Sequence, residues 1–409
     1  MRRSDHSMRA PAPAATLAFK SPNACNLCHA DKDAAWADSF VRKWYPRDYQ
    51  APIIRLGRLV EAARKRDWSK LPDILDYIAS KDRDEIYAGS LIRLLEFCDN
   101  EAKWPVIVKA LKTDPAPWVR ARAAEALQSR LDSETVPALV AATRDDTRLV
   151  RIRAALSLAS YPADYLEPAD RESVKRAADE FVAHLKSRPD DGASFYNLGN
   201  FHMARREYEQ AIACFETANK LQADLFAAHV NAALAYNAVG RNDKAEAALR
   251  QAIKLDATNA VANLNLGLLL GELGRARDAE GAFRTALKSE PRNAVAAYNL
   301  AVIAGQDGRV DEAIELCARA AGAAPQEPKY AYTLAFYQQQ KGRISDAVQT
   351  LRRMLASQPA YGAAYALLGE LYERQGKRGD AVEVYRQATE NRKLSEQERA
   401  QFARRLQSP

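Results

Sequence analysis

Cys25-Asn26-Leu27-Cys28-His29 is the stretch of this 409-residue chain whose residue types and spacing point to cofactor chemistry. It reads C-x-x-C-H, the arrangement in which two thiols form thioether bonds to the vinyl groups of a haem and the following histidine binds the iron. Two intervening residues let both sulfurs reach one porphyrin edge, and a histidine directly after the second cysteine falls beneath the ring. One covalent haem c is the expected cofactor, with His29 as an axial ligand. A half zinc site is the alternative, but it wants a second pair of ligands, and the sequence has no other C-x-x-C and no H-x-x-x-H. A chance match is the third reading. For the second axial position, His6 lies 19 residues before Cys25, and an extended span of up to about 60 Å lets it return to the iron. Met8 is its rival, since Met/His ligation also occurs and raises the potential. His184, His202 and His229 fall within helical patterns, where core or surface roles suit them better.

The elements that must carry this motif show themselves through repetition. Columns recur every 34 residues without insertion from Gly192 to Ser395. Leu198, Ala232, Leu266, Leu300, Leu334 and Leu368 form one; Gly199, Ala233, Gly267, Ala301, Ala335 and Gly369 follow directly; Ala211, Ala245, Ala279, Ala313, Ala347 and Ala381 form a third. Small residues let two helices approach, while Phe215, Leu249, Phe283, Cys317, Leu351 and Tyr385 fill the space between pairs. Gly240, Gly274, Gly308, Gly342 and Gly376 mark the turn inside a pair, where positive φ is expected, with Arg206 as the exception. This array resembles the tetratricopeptide repeat family in six copies, and the polar segment after Ser395 reads as the helix that caps such a stack.

Upstream, a period of 31 residues aligns Val119-Arg120 and Ala123-Ala124 with Val150-Arg151 and Ala154-Ala155, each behind acidic turn residues. It resembles HEAT-type α/α repeats; a non-repetitive helical bundle is the alternative. The expected fold is all-α, an α/α solenoid of HEAT-like repeats followed by six tetratricopeptide repeats, with a small N-terminal haem-binding segment. The expected bounds are 1–49 for the haem segment, 50–160 for HEAT-like repeats, 161–191 for a hinge and a lead-in helix over Glu172 to Arg188, 192–395 for the tetratricopeptide repeats and 396–409 for the cap.

The run Pro22-Asn23-Ala24-Cys25 through His29, then Asp31-Lys32, Trp36 and Trp44-Tyr45, is similar to the last haem-binding segment of multihaem c-type cytochromes fused to HEAT and tetratricopeptide repeats. Asp5-His6-Ser7-Met8-Arg9 resembles the stretch that precedes that site. The resemblance implies electron transfer, with redox-partner cytochromes, in the periplasm or outside the cell. It also implies further haem motifs and an export signal, which this sequence lacks, so a truncated or misplaced start is expected.

Asn197, Asn231, Asn265 and Asn299 recur at the repeat period on the first helix of each pair, expected on a concave face. An asparagine amide both donates and accepts, so such a ladder can hold an extended peptide irrespective of its side chains. Tyr196, Tyr298, Tyr332 and Phe336 lie near it and offer apolar contact area. The net charge of +7 is spread among interleaved acids and bases without a basic block, which argues against nucleic acid. No stretch approaches the ~18 apolar residues of a membrane span. There is no G-x-S-x-G, P-loop or dinucleotide fingerprint, and the reading leans away from an enzyme. Three classes then compete: a haem-carrying interaction scaffold, a pure scaffold with a vestigial haem motif, and a redox enzyme acting at the haem.

Overall fold

The computed structural model describes residues 10–407, whose regular elements are all helices, with no strand among them. The chain divides into two compact units, with the boundary at Arg188 and Pro189.

The first unit opens with α1 (Pro13–Phe19), α2 (Ala24–Cys28), α3 (Ala34–Trp44) and α4 (Ala51–Arg64). Three antiparallel pairs follow: α5 (Leu71–Ala79) with α6 (Glu85–Leu94), α7 (Lys103–Thr113) with α8 (Pro117–Ala126), and α9 (Thr135–Ala142) with α10 (Arg148–Ser157). The unit ends on α11 (Pro168–Lys186). This helix starts ahead of the expected Glu172 because Pro168 sits in its first turn, where a missing N–H costs nothing. Ile74, Leu91, Ile92, Leu127 and Leu139 fill the core, and Ala88, Ala123, Ala124 and Ala154 at 0% exposure let the helices close on one another.

The 31-residue period has a physical basis in repeated arginine rungs. The guanidinium of Arg120 makes a bidentate pair with Asp145 at 2.8 and 2.9 Å, and its other amine donates to the Asp114 carbonyl at 2.8 Å. One repeat later Arg151 does the same with Glu180 at 2.9 and 2.8 Å and with the Asp145 carbonyl at 2.8 Å. Each arginine ties the loop before its own helix to the next element along the chain, the α9–α10 loop for Arg120 and α11 for Arg151, through charge-assisted hydrogen bonds. One repeat earlier Asp114 is met from a different position, by Arg83 in the loop before α6.

The second unit holds six helix pairs. The first helices are α12 (Gly192–Ala204), α14 (Phe226–Ala238), α16 (Ala260–Glu272), α18 (Ala294–Gln306), α20 (Pro328–Gln340) and α22 (Gly362–Arg374). Their partners are α13 (Tyr208–Leu221), α15 (Asn242–Leu255), α17 (Ala276–Ser289), α19 (Val310–Ala323), α21 (Ile344–Ser357) and α23 (Arg378–Glu390). The five turn glycines take φ between 72° and 78°, and Arg206 takes 59° in the sixth turn. Pro291, Pro325 and Pro359 follow the ends of α17, α19 and α21, which they cannot extend. The last helix, α24 (Glu396–Gln407), is opened by a capping box: Ser395 Oγ accepts the Glu398 N–H at 3.3 Å, and the Glu398 carboxylate accepts the Ser395 N–H at 2.9 Å. It buries Phe402 against Tyr385, covering the apolar end of the stack.

Candidate functional site

In the first unit, α2 is a single turn whose start is fixed by its own side chains. Asn23 caps it by accepting the Asn26 N–H at 3.2 Å, and the Asn23 amide donates to Asn26 Oδ1 and Thr16 Oγ1, both at 2.8 Å. Asn26 in turn donates to the Lys32 carbonyl at 2.7 Å, closing the loop that leads to α3. Cys25 and Cys28, three residues apart on one helical turn, therefore share a face. Cys25 is half-buried, while Cys28 and His29 are exposed, and neither thiol is in a disulfide.

This turn is held on a packed base. Gln50, 2% exposed, accepts the Ala14 N–H at 2.9 Å and donates to Asp38 at 2.8 Å, linking α1, α3 and the start of α4. Phe19 lies against Gly57 of α4, where a Cβ would come within 2.3 Å of the ring. The Tyr49 hydroxyl donates to the Pro11 carbonyl, and burial pushes its phenol pKa up, which keeps it a donor.

Beside Cys28 and His29 runs an aromatic strip. His29 and Trp36 have ring centroids 4.8 Å apart, Trp36 and Phe40 5.0 Å, and Phe40 and Trp44 5.7 Å. Leu27 is 78% exposed, Trp44 65% and Phe40 36%, so exposed apolar side chains lie within and beside the motif. Phe40 was not among the residues singled out from sequence, although its place midway between Trp36 and Trp44, at i+4 from one and i−4 from the other, puts all three on one helical face. Two thiols on one face, a solvent-facing imidazole directly after them and adjoining exposed apolar side chains fit a covalently held haem. A zinc site would need ligands from elsewhere, because no cluster of three or more His, Cys, Asp or Glu suited to a metal occurs among the described residues. His6 and Met8 lie outside the described residues.

In the second unit, the asparagine column stands on the first helices but is not uniform. Asn197 is exposed. Asn231 donates to Asn200 Oδ1 at 2.6 Å and to the Tyr196 hydroxyl at 3.4 Å. Asn265 and Asn299 donate instead to the carbonyls of Val261 and Val295, at 2.9 and 2.8 Å, and Thr333 continues that pattern to Lys329 at 2.8 Å. One N–H of the Asn265 and Asn299 amides is thus committed, while their amide oxygens meet no protein donor among the described residues. Phe336, expected beside the column, is exposed; Leu234, Val261 and Val295 are exposed on the same helices and were overlooked in sequence, although Val261 and Val295 recur at the repeat period. Tyr298 packs on Tyr330 at 4.9 Å and Tyr332 on Tyr361 at 5.5 Å, with the Lys329 ammonium 5.3 Å from both Tyr298 and Tyr330. Tyr196 packs on Phe215 at 6.1 Å.

The other histidines have local roles. His202 meets Glu207 at 2.7 Å, His229 meets the Ala223 carbonyl at 2.9 Å, and His184 lies exposed near the end of α11.

The chain matches the tetratricopeptide repeat family over residues 193–225, 226–259, 264–328 and 332–396, and HEAT repeats over residues 71–192. No curated protein matches it. Similar solved structures include YrrB, described as a tetratricopeptide repeat protein with an unusual peptide-binding site, at 20% identity and a TM-score of 0.39 over 45% of this chain and 95% of that one. PilW, a type IV pilus biogenesis factor, is 25% identical with a TM-score of 0.41 over 52% and 98%. PilF of Pseudomonas aeruginosa is 19% identical with a TM-score of 0.43 over 54% and 99%.

Proposed function

We propose that this chain, an all-helical protein of HEAT repeats followed by tetratricopeptide repeats, is an interaction scaffold that carries one covalent haem c and passes electrons through it. Cys25 and Cys28 would hold the group by thioether bonds, and His29 would supply one axial nitrogen. His6, with Met8 as the alternative, is proposed for the other axial position. When bound, the haem supplies a one-electron couple; the chain's part is to hold, orient and shield it. Asn23 and Asn26 fix the turn that carries both sulfurs, and Leu27, Phe40 and Trp44 offer the apolar surface that would exclude water. The observation that carries this reading is that exposed apolar surface beside Cys28 and His29.

Partners would be proteins or peptides held along the first helices of the second unit, through the free oxygens of Asn265 and Asn299 and the apolar side chains between them. Redox-partner cytochromes are the proposed electron donors or acceptors. Thioether attachment would place the protein in the periplasm or outside the cell.

The test is to express the full chain behind an export signal in cells competent for c-type maturation and to take a pyridine haemochrome spectrum. Covalent haem that survives denaturation is the expected result. One stoichiometric Zn²⁺, or neither group, sinks the electron-transfer reading and leaves the scaffold.

A further inference from the structure

We propose that Trp36 is a positioning residue that sets the plane of the His29 imidazole; the inference rests on the haem reading above. A metal-bound histidine is usually oriented by a hydrogen bond from its second ring nitrogen to a carboxylate, a carbonyl or water. Among the described residues His29 has no such partner on either nitrogen. Its backbone, by contrast, is fixed: the His29 N–H donates to the Cys25 carbonyl at 2.9 Å, and the His29 carbonyl accepts the Lys32 N–H at 3.1 Å. The remaining freedom is rotation of the ring, and the contact that limits it is the indole of Trp36, 4.8 Å away at an interplanar angle of 54°.

Trp36 is itself held from two sides. Its backbone N–H donates to the Asp33 carboxylate at 2.7 Å, which starts α3 and fixes where the side chain leaves the helix, and its ring packs on Phe40 at 5.0 Å. The indole, backed by Phe40, therefore acts as a stop against which an imidazole with no hydrogen bond among the described residues comes to rest. A ring so placed takes one orientation rather than a spread of them. Because the plane of an axial imidazole sets the splitting of the iron d orbitals, that single orientation should be visible in the electron paramagnetic resonance spectrum.

The experiment compares the full chain with Trp36→Ala and Trp36→Phe, in two forms. Without haem, the His29 Cε1–H resonance should sit upfield in the unmodified chain under the indole ring current, move to its solvent-exposed position in Trp36→Ala, and return part of the way in Trp36→Phe. With haem, Trp36→Ala should retain the full haem content, since both thiols remain, but should show broadened, displaced g-values and a shifted midpoint potential, with Trp36→Phe restoring both. Helical circular dichroism checks that each variant is folded, and Trp36→Phe keeps the test usable if the alanine variant is not. Covalent haem with unchanged g-values, line width and potential in Trp36→Ala overturns the positioning role while leaving the haem reading intact. No covalent haem in the unmodified chain overturns the haem reading and this role with it, and the resonance of His29 then reports only whether the ring contact exists.

Discussion

Gly267 lies flat against the ring of Phe283: a Cβ added there would come within 2.6 Å of Phe283 Cδ1 and Cε1. The same pairing recurs as Gly199 with Phe215 at 2.4 Å and Gly369 with Tyr385 at 2.2 Å. At the three equivalent places where the small residue is Ala233, Ala301 or Ala335, the bulky position holds Leu249, Cys317 or Leu351, none of them aromatic. The two columns compensate each other in volume. Alanine is the better helix former by about 1 kcal/mol, but overpacking costs about 1–3 kcal/mol, and Phe283 at 1% exposure has nowhere to swing. Gly267→Ala should therefore destabilise, and adding Phe283→Leu should recover part of that loss. In denaturant unfolding the double variant should differ from the sum of the singles by about 0.5–3 kcal/mol; strict additivity would contradict the pairing.

Arg206 presents the opposite case, in which space is ample and the backbone is the constraint. It takes φ 59° in the turn between α12 and α13, where the five other repeats use glycine. A Cβ at Gly308, the equivalent glycine, would meet nothing within 4 Å. The left-handed conformation costs a non-glycine residue about 1–2 kcal/mol, and glycine's greater freedom in the unfolded chain offsets part of it. Arg206→Gly should raise stability by about 1 kcal/mol or somewhat less, read as a higher melting temperature. A lower one would mean that the arginine side chain contributes something in the fold that outweighs its backbone strain.

The all-helical fold and its two repeat types were legible because both periods are written in side chains that pack against their own copies. A column such as Ala211 to Ala381 reports sterics directly, since every copy solves the same packing problem. The arginine rungs were half visible: Arg120, Arg151 and the acidic turn residues around Asp145 stood out by spacing, but the period did not pair Arg120 with Asp145, 25 residues on, or point to Glu180, 29 residues from Arg151. The asparagine column shows the other limit. Periodicity places Asn265 and Asn299 on one face, yet it cannot say that their amides turn back to Val261 and Val295, because that choice depends on side-chain torsions the spacing does not encode. The same holds at Trp36, whose helical face was readable and whose contact with His29 depends on the loop closed by Asn26.

Glu246 predicts a pH dependence. Its carboxylate receives Arg275 at 2.6 Å and Arg250 at 2.7 Å, joining α15 to α17. The hydrogen bond from Arg275, then that from Arg250, hold it below its ordinary value of 4.5. A depressed folded-state pKa means that the stabilisation is fully present above 4.5 and is lost as pH falls through the lower folded value. The gap in melting temperature between the unmodified chain and Glu246→Gln should thus be clear at about pH 6 and close as pH drops to about 3. It should also narrow at high salt, since both arginines are about half exposed. A gap independent of pH would assign the effect of the substitution to packing.

The last prediction separates the cofactor from the fold. The turn of α2 is closed by Asn23, Asn26 and Thr16, and the thiols of Cys25 and Cys28 take no part in those hydrogen bonds. Cys28 is exposed and Cys25 half-buried, so replacing both by alanine removes little packing and inserts better helix formers. Both residues lie in the first unit, far in sequence from the helix pairs that begin at Gly192. Without haem, the Cys25→Ala, Cys28→Ala chain should keep its helical circular dichroism and melt within about 0.5 kcal/mol of the parent, as surface substitutions generally do. Under maturation conditions it should hold no haem after denaturation, because no sulfur remains to form a thioether at this site, whereas either single variant keeps one thiol and should retain a weaker covalent signal. Covalent haem persisting in the double variant would place the attachment elsewhere and remove Cys25 and Cys28 from the site. A large loss of helix in the same variant would instead make the cysteines part of the scaffold, and the spacing that led to the haem reading would then be a consequence of packing.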